Sequence, residues 1–169
     1  HHLVHQYLLG IPIERLTALA AGEGLARWWR NFVENVADWE LPGSTRFTEL
    51  RFSGRLGDHR LVAQYDLVMV IPGERAVIVD WKTSRKRPMR DWLAERLQTR
   101  VYPYLLILGG APMNAGRPIE PEQLEMVYWF AENPGQPEQF SYSQECFRED
   151  EQLLLLSLIH ISEPTRLRR

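Results

Sequence analysis

At 169 residues the chain is long enough for one domain with a real core and too short for two comfortable ones. Its 44% hydrophobic and 25% charged residues describe an ordinary globular protein with no apolar run near the roughly 18 residues of a membrane span, and the single Cys146 excludes disulfide scaffolds and multi-cysteine zinc or iron-sulfur sites, leaving a reducing cytoplasmic setting as the default. The formal net charge of −2 argues against a protein that coats nucleic acid along its surface, yet leaves room for an enzyme with a local basic strip.

The chain opens on HHLVHQYLLG, where His1, Val4, His5 and Leu8 recur at helical spacing. With no initiator methionine and no capping residue, this reads as the surviving part of a longer helix. Residues 14–21 and 25–37 are predicted helices, the second amphipathic through Trp28, Trp29, Phe32, Val33 and Val36. Leu41-Pro42-Gly43-Ser44 ends the helical section. Residues 45–56 alternate as a strand, and Gly57-Asp58 turns the chain. Two more strands follow, 61–71 (LVAQYDLVMVI) and 75–82 (RAVIVDWK), joined by Pro72-Gly73-Glu74 as an antiparallel hairpin. The longest predicted helix covers 88–108, with Pro88 near its start, a kink at Pro103 and Gly109-Gly110 at its end. A flexible stretch, 111–120, leads to a strand at 124–131 with a partner at 139–142, and 143–155 forms a last helix. The class is mixed α/β, α+β-like, around a small sheet flanked by helices.

The end of the chain reads differently. Residues 156–166, LSLIHISEPTR, resemble the translation of a transposase-type sequencing adapter, so the domain is assigned to 1–155 and 156–169 is set aside as a non-native tail. The rival reading is that the helix simply continues through Leu156 and Ile159.

The hairpin carries the chemistry. Alternation puts Asp80 and Lys82 on one side of their strand and Trp81 on the other. With Ile71 opposite Arg75 the partner of Asp66 is Asp80, whereas a slip of one residue would send Asp66 to the wrong face. Both faces are otherwise apolar, with Val62, Val68, Val70 and Ile78 expected on one and Leu61, Leu67, Met69, Val77 and Val79 on the other. Charges there must be paired or bound to metal, because burying an isolated carboxylate is costly. An ordinary Asp-Lys salt bridge satisfies that rule as well as a metal site does. Directly afterwards comes a basic strip, Lys82, Arg85, Lys86, Arg87 and Arg90, with Arg96 and Arg100 following.

Asp66, then Asp80-Trp81-Lys82-Thr83, then Gln98-Thr99-Arg100-Val101-Tyr102, resembles the PD-(D/E)XK nuclease superfamily in its RecB-type branch. That branch carries a helix histidine, an Asp ending one strand, a (D/E)-x-K on the next and a Q-x-x-x-Y on the following helix. The stretches VAQYDL, VDWKTS, LQTRVYPY and MVYWF look like a group of bacterial proteins of that superfamily, and the resemblance covers most of 1–131. It implies a restriction-endonuclease-like core. It also implies that Asp66, Asp80 and the main-chain carbonyl of Trp81 are metal ligands, that Lys82 is the catalytic lysine, and that Gln98 and Tyr102, one helical turn apart, contact substrate or support the site. The histidine falls to His1, nine residues before the Gly10 of Gly10-x-Pro12, or else to His5 one turn on. The glycine that commonly precedes the first Asp by three is Ala63 here.

The implied cofactor is Mg2+ or Mn2+, both suited to oxygen ligands, with no iron-sulfur cluster. Arg85, Lys86, Arg87 and Arg100 would hold DNA phosphates without sequence preference. The expected protein is a metal-dependent DNA nuclease working on ends or single strands in repair or recombination, beside a helicase subunit or domain. The alternative is a catalytically silent DNA-binding or scaffolding module that keeps the fold, and an RNA-directed nuclease is a third reading.

Overall fold

The structure is a computed structural model that describes residues 1–35 and 41–162, with side-chain surroundings described through 157. The end of the helix expected over 25–37 and the last residues of the chain lie outside the described residues. Three helices come first, α1 (His2–Leu8), α2 (Ile13–Leu19) and α3 (Glu23–Asn35). Three strands follow, β1 (Thr45–Leu56), β2 (His59–Ile71) and β3 (Arg75–Lys82), then helices α4 (Arg90–Ala94) and α5 (Leu97–Gly109), strands β4 (Leu124–Phe130) and β5 (Glu138–Ser141), and helix α6 (Gln144–Ser162).

The strands form one five-stranded sheet in the order β1-β2-β3-β4-β5. Neighbours are antiparallel except β3 and β4, which run parallel because α4 and α5 carry the chain back between them. This is the mixed sheet flanked by helices of a restriction-endonuclease-like core. Helices α5 and α6 cover one face, over Val68, Val70, Ile78 and Tyr128. Helices α1 to α3 cover the other, over Leu67, Met69, Val79, Trp81 and Trp129.

The β2–β3 register is the one the turn predicts, Ile71 opposite Arg75 and Leu67 opposite Val79. The ladder stops there. Beyond Leu67, β2 pairs only with β1, while Asp80, Trp81 and Lys82 pair only with β4. The sheet therefore forks at the carboxyl end of β3.

One expectation about faces fails at that fork. Along β1 and β2 the rungs run Thr48 opposite Leu67 and then Leu50 opposite Tyr65, with Glu49 and Asp66 skipped between them. Skipping one residue on each strand keeps the register but inverts the faces, as a bulge on both strands would. Tyr65 and Ala63 thus join Val68 and Val70 in one core cluster. Leu61 packs against that cluster too, and Val62 is 47% exposed, the reverse of strict alternation.

Three further expectations are corrected. The helix expected over 88–108 is two helices, because Arg96, after the C-capping Glu95 of α4, takes an extended backbone and caps α5. Pro103 lies inside α5 without ending it. The stretch 111–120 is anchored rather than flexible: it contains a 3-10 turn at Ala111–Met113, and the buried Asn114 accepts from the Gly73 amide at 2.6 Å while donating to the carbonyls of Arg117 and Pro118. The last helix does not stop at 155 but continues to Ser162.

Candidate active site

The fork holds a cavity of about 610 Å3 whose walls include His1, Glu49, Asp66, Asp80, Lys82 and Tyr102. Asp66 spans it. Its Oδ2 accepts a hydrogen bond from the Trp81 main-chain amide at 2.8 Å, which ties the departing β2 to β3 where the ladder has ended. Its Oδ1 lies 3.1 Å from His1 Nδ1. His1 stands at the cap position of α1, yet its side chain makes no capping hydrogen bond and turns to Asp66 instead. The hydrogen bond to Asp66 holds the imidazole pKa above its ordinary value, against the opposing effect of partial burial.

Asp80 is 4% exposed. Burial pushes its carboxyl above the ordinary carboxylate range, opposed by the charge of Lys82. Gln98 closes a triangle around it, donating from Nε2 to Asp80 Oδ1 and accepting from Lys82 Nζ at 3.1 Å through Oε1. Lys82 Nζ also lies 2.6 Å from Asp80 Oδ2, a largely buried ion pair. Tyr102, a turn further along α5, lines the same cavity and is packed by the Tyr65 ring, whose hydroxyl donates to the Tyr102 carbonyl.

The structure thus brings His1, Asp66, Asp80, Lys82, Gln98 and Tyr102 together. It puts the Trp81 ring on the opposite face, buried against Phe32 and Trp129. His5 lies one turn along α1 and does not line this cavity. Arg85 and Lys86 are exposed in the loop leaving β3. Arg87 and Arg100 stand apart from the site, because Arg87 is paired with Glu138 and Arg100 donates to Asp150 at 2.8 Å.

Glu49 went unnoticed in the sequence. Its backbone sits in the left-handed region at φ 49°, a costly position for a residue with a Cβ, and its side chain accepts from Gln64 Nε2 at 3.0 Å. The Gly57-Asp58 turn, carried back along both strands, puts residue 49 at the rung of Asp66, a signal that was available.

The side chains gathered at the fork, two carboxylates and an imidazole, are of the kinds that hold a hard divalent cation. Among the described residues no three His, Cys, Asp or Glu side chains form a ready-made metal cage. Trp81 N–H and His1 engage Asp66, while Lys82 and Gln98 engage Asp80.

The model of the PD-(D/E)XK nuclease superfamily matches residues 6–163. The chain belongs to that superfamily. Its members are generally nucleases that hydrolyse phosphodiester bonds, typically with divalent metal ions. A solved structure described as "Crystal structure of SSO0001" is similar at 14% identity, with a TM-score of 0.38 over 99% of this chain and 82% of that one. At that score the likeness supports nothing further. No curated protein matches the sequence. Among the described residues no helix is long and apolar enough to cross a membrane.

Proposed function

We propose that this chain is a Mg2+- or Mn2+-dependent DNA nuclease that acts on ends or single strands. The observation that carries the reading is the bond from Asp66 across the fork to the Trp81 amide, which holds one carboxylate beside the Asp80–Lys82–Gln98 triangle. Asp66, Asp80, His1 and the main-chain carbonyl of Trp81 would hold the ion. Such an ion supplies an activated water and a polarised phosphoryl oxygen. Lys82 orients the attacking water and stabilises the charge that grows on the phosphate. Gln98 keeps Lys82 and Asp80 in mutual register, and Tyr102 closes the site on the α5 side. Arg85 and Lys86, exposed beside the site, hold flanking phosphates. A place in repair or recombination, within the cytoplasm and beside a helicase, follows the resemblance to the RecB-type branch.

Replacing Lys82 by Ala tests this. Magnesium-dependent cleavage of end-labelled single-stranded DNA is expected to fall by about 10²–10³-fold or more, the cost of losing one preorganised charge-stabilising group, with DNA binding in EDTA nearly unchanged. Undiminished cleavage overturns the assignment. DNA binding with no metal-dependent cleavage by the unaltered protein would instead identify a silent binding module.

A further inference from the structure

Beside the carboxylates, on the side of the sheet covered by α1 to α3, lies a second cavity of about 380 Å3. Trp28, Trp29, Phe32, Trp81 and Trp129 all line it. It shares His1, Trp81, Lys82 and Thr83 with the polar cavity. The two are therefore neighbours across the end of β3. Leu19 and Leu25, both exposed, line it as well, so it communicates with solvent.

We propose that this aromatic cavity receives one unstacked nucleobase of the DNA strand whose phosphate lies at the carboxylates; the proposal rests on the nuclease reading above. Aromatic faces stack on any base, a contact that discriminates little among sequences. The volume lies near the lower end of the roughly 300–1,000 Å3 of small-molecule sites, room for one planar ring system and not for a strand.

Two polar atoms point to the same ligand chemistry. Trp129 is 2% exposed, and its Nε1 has no hydrogen-bond partner among the described residues. Its neighbours differ, since Trp28 Nε1 donates to Glu132 at 2.8 Å and Trp29 Nε1 donates to Thr17 at 2.9 Å. Gln6, which also lines the cavity, has a buried Oε1 without a donor among the described residues. A buried unmatched donor and acceptor are each costly unless a ligand answers them. The exposed edge of a nucleobase carries both complements.

The test measures binding of the full chain, in EDTA so that no cleavage occurs, to short single-stranded oligodeoxynucleotides labelled at one end. The other end carries either an ordinary or an abasic nucleotide, and both polarities are used. The abasic end is expected to bind about tenfold more weakly in one polarity, equivalent to about 1.4 kcal/mol. Trp129→Phe, which keeps a ring and removes the N–H, should narrow that gap by weakening the ordinary oligonucleotide alone. Gln6→Leu, on the short helix α1, should do the same if Trp129→Phe fails to fold. Equal affinity for ordinary and abasic ends in both polarities overturns the proposal, and equal affinity with concentration-dependent dimerisation would give the cavity to a second copy of the chain. Cleavage by the same protein in Mg2+ is scored separately. Cleavage without base-dependent binding removes this inference alone, and base-dependent binding without cleavage removes only the nuclease reading.

Discussion

The two cavities that meet at the end of β3 share a wall and almost nothing else. On one side Asp66, Asp80, Lys82 and Gln98 are held by charge and hydrogen bonds, each atom placed by a partner that can be named. On the other, Phe32 is the hub of an aromatic cluster, edge-on to Tyr7, Trp81 and Trp129 and stacked on Trp29. The first arrangement holds chemistry ready at the expense of stability, because burial pushes the Asp80 carboxyl toward its neutral form. The second supplies stability to the same strand end. A single strand serves both, because successive residues of β3 face opposite sides.

That division can be broken from either side. The largest effect is expected from Phe32→Ala, which removes the hub of the aromatic side and should lower unfolding free energy by about 3–5 kcal/mol in urea titrations. A loss under about 1 kcal/mol would mean that the apolar side does not hold the strand end. Asp66→Asn probes the polar side alone. The amide can still accept from the Trp81 N–H, so the fold should survive, while Mg2+ affinity measured calorimetrically should fall by about 100-fold or more, exceeding the roughly 10–100-fold seen for outer-shell partners. Unchanged affinity would remove Asp66 from the ligand set.

Glu49→Gly sharpens the contrast by separating stability from site chemistry. Relief of roughly 1–2 kcal/mol of left-handed strain, less the roughly 0.5–1 kcal/mol entropic cost of glycine, leaves a net gain of about 0–1.5 kcal/mol. The same variant should bind Mg2+ more weakly, since a carboxylate leaves the cavity wall. A destabilised variant would show that Glu49 is not strained there. The smallest effect concerns pH. Contact with Asp66 raises the His1 pKa above 6.5, so its contribution to stability is complete below 6.5 and disappears as pH rises through the folded-state value. Thermal unfolding in EDTA from about pH 6 to 8.5 should show a slight decline that His1→Ala abolishes; a decline that survives in His1→Ala would assign it to another group.

How much of this was readable beforehand differs from one element to the next. Residues 72–74 announce a tight turn between two apolar strands, so Ile71 opposite Arg75 followed from local chemistry, and with it the side on which Asp80 and Lys82 project. The bounds of β1 and β3 were equally local. The break at Glu95 and Arg96 was not, since nothing in their propensities opposes a continuous helix. Nor was the pairing of Arg87 with Glu138, which depends on where β5 comes to rest.

Local sequence chemistry determined the class of the fold, the hairpin register and the common side of Asp80 and Lys82, because turns and alternation act over a few residues, while Gln98, Tyr102 and a helix histidine were legible only through the family resemblance. Tertiary structure decided what lies between those segments. It set the double skip at Glu49 and Asp66, the splitting of β2 from β3, the approach of His1 to Asp66 and the aromatic cavity built from three helices and two strands. Each of these depends on which surfaces meet across tens of residues, and no periodicity along the chain encodes that.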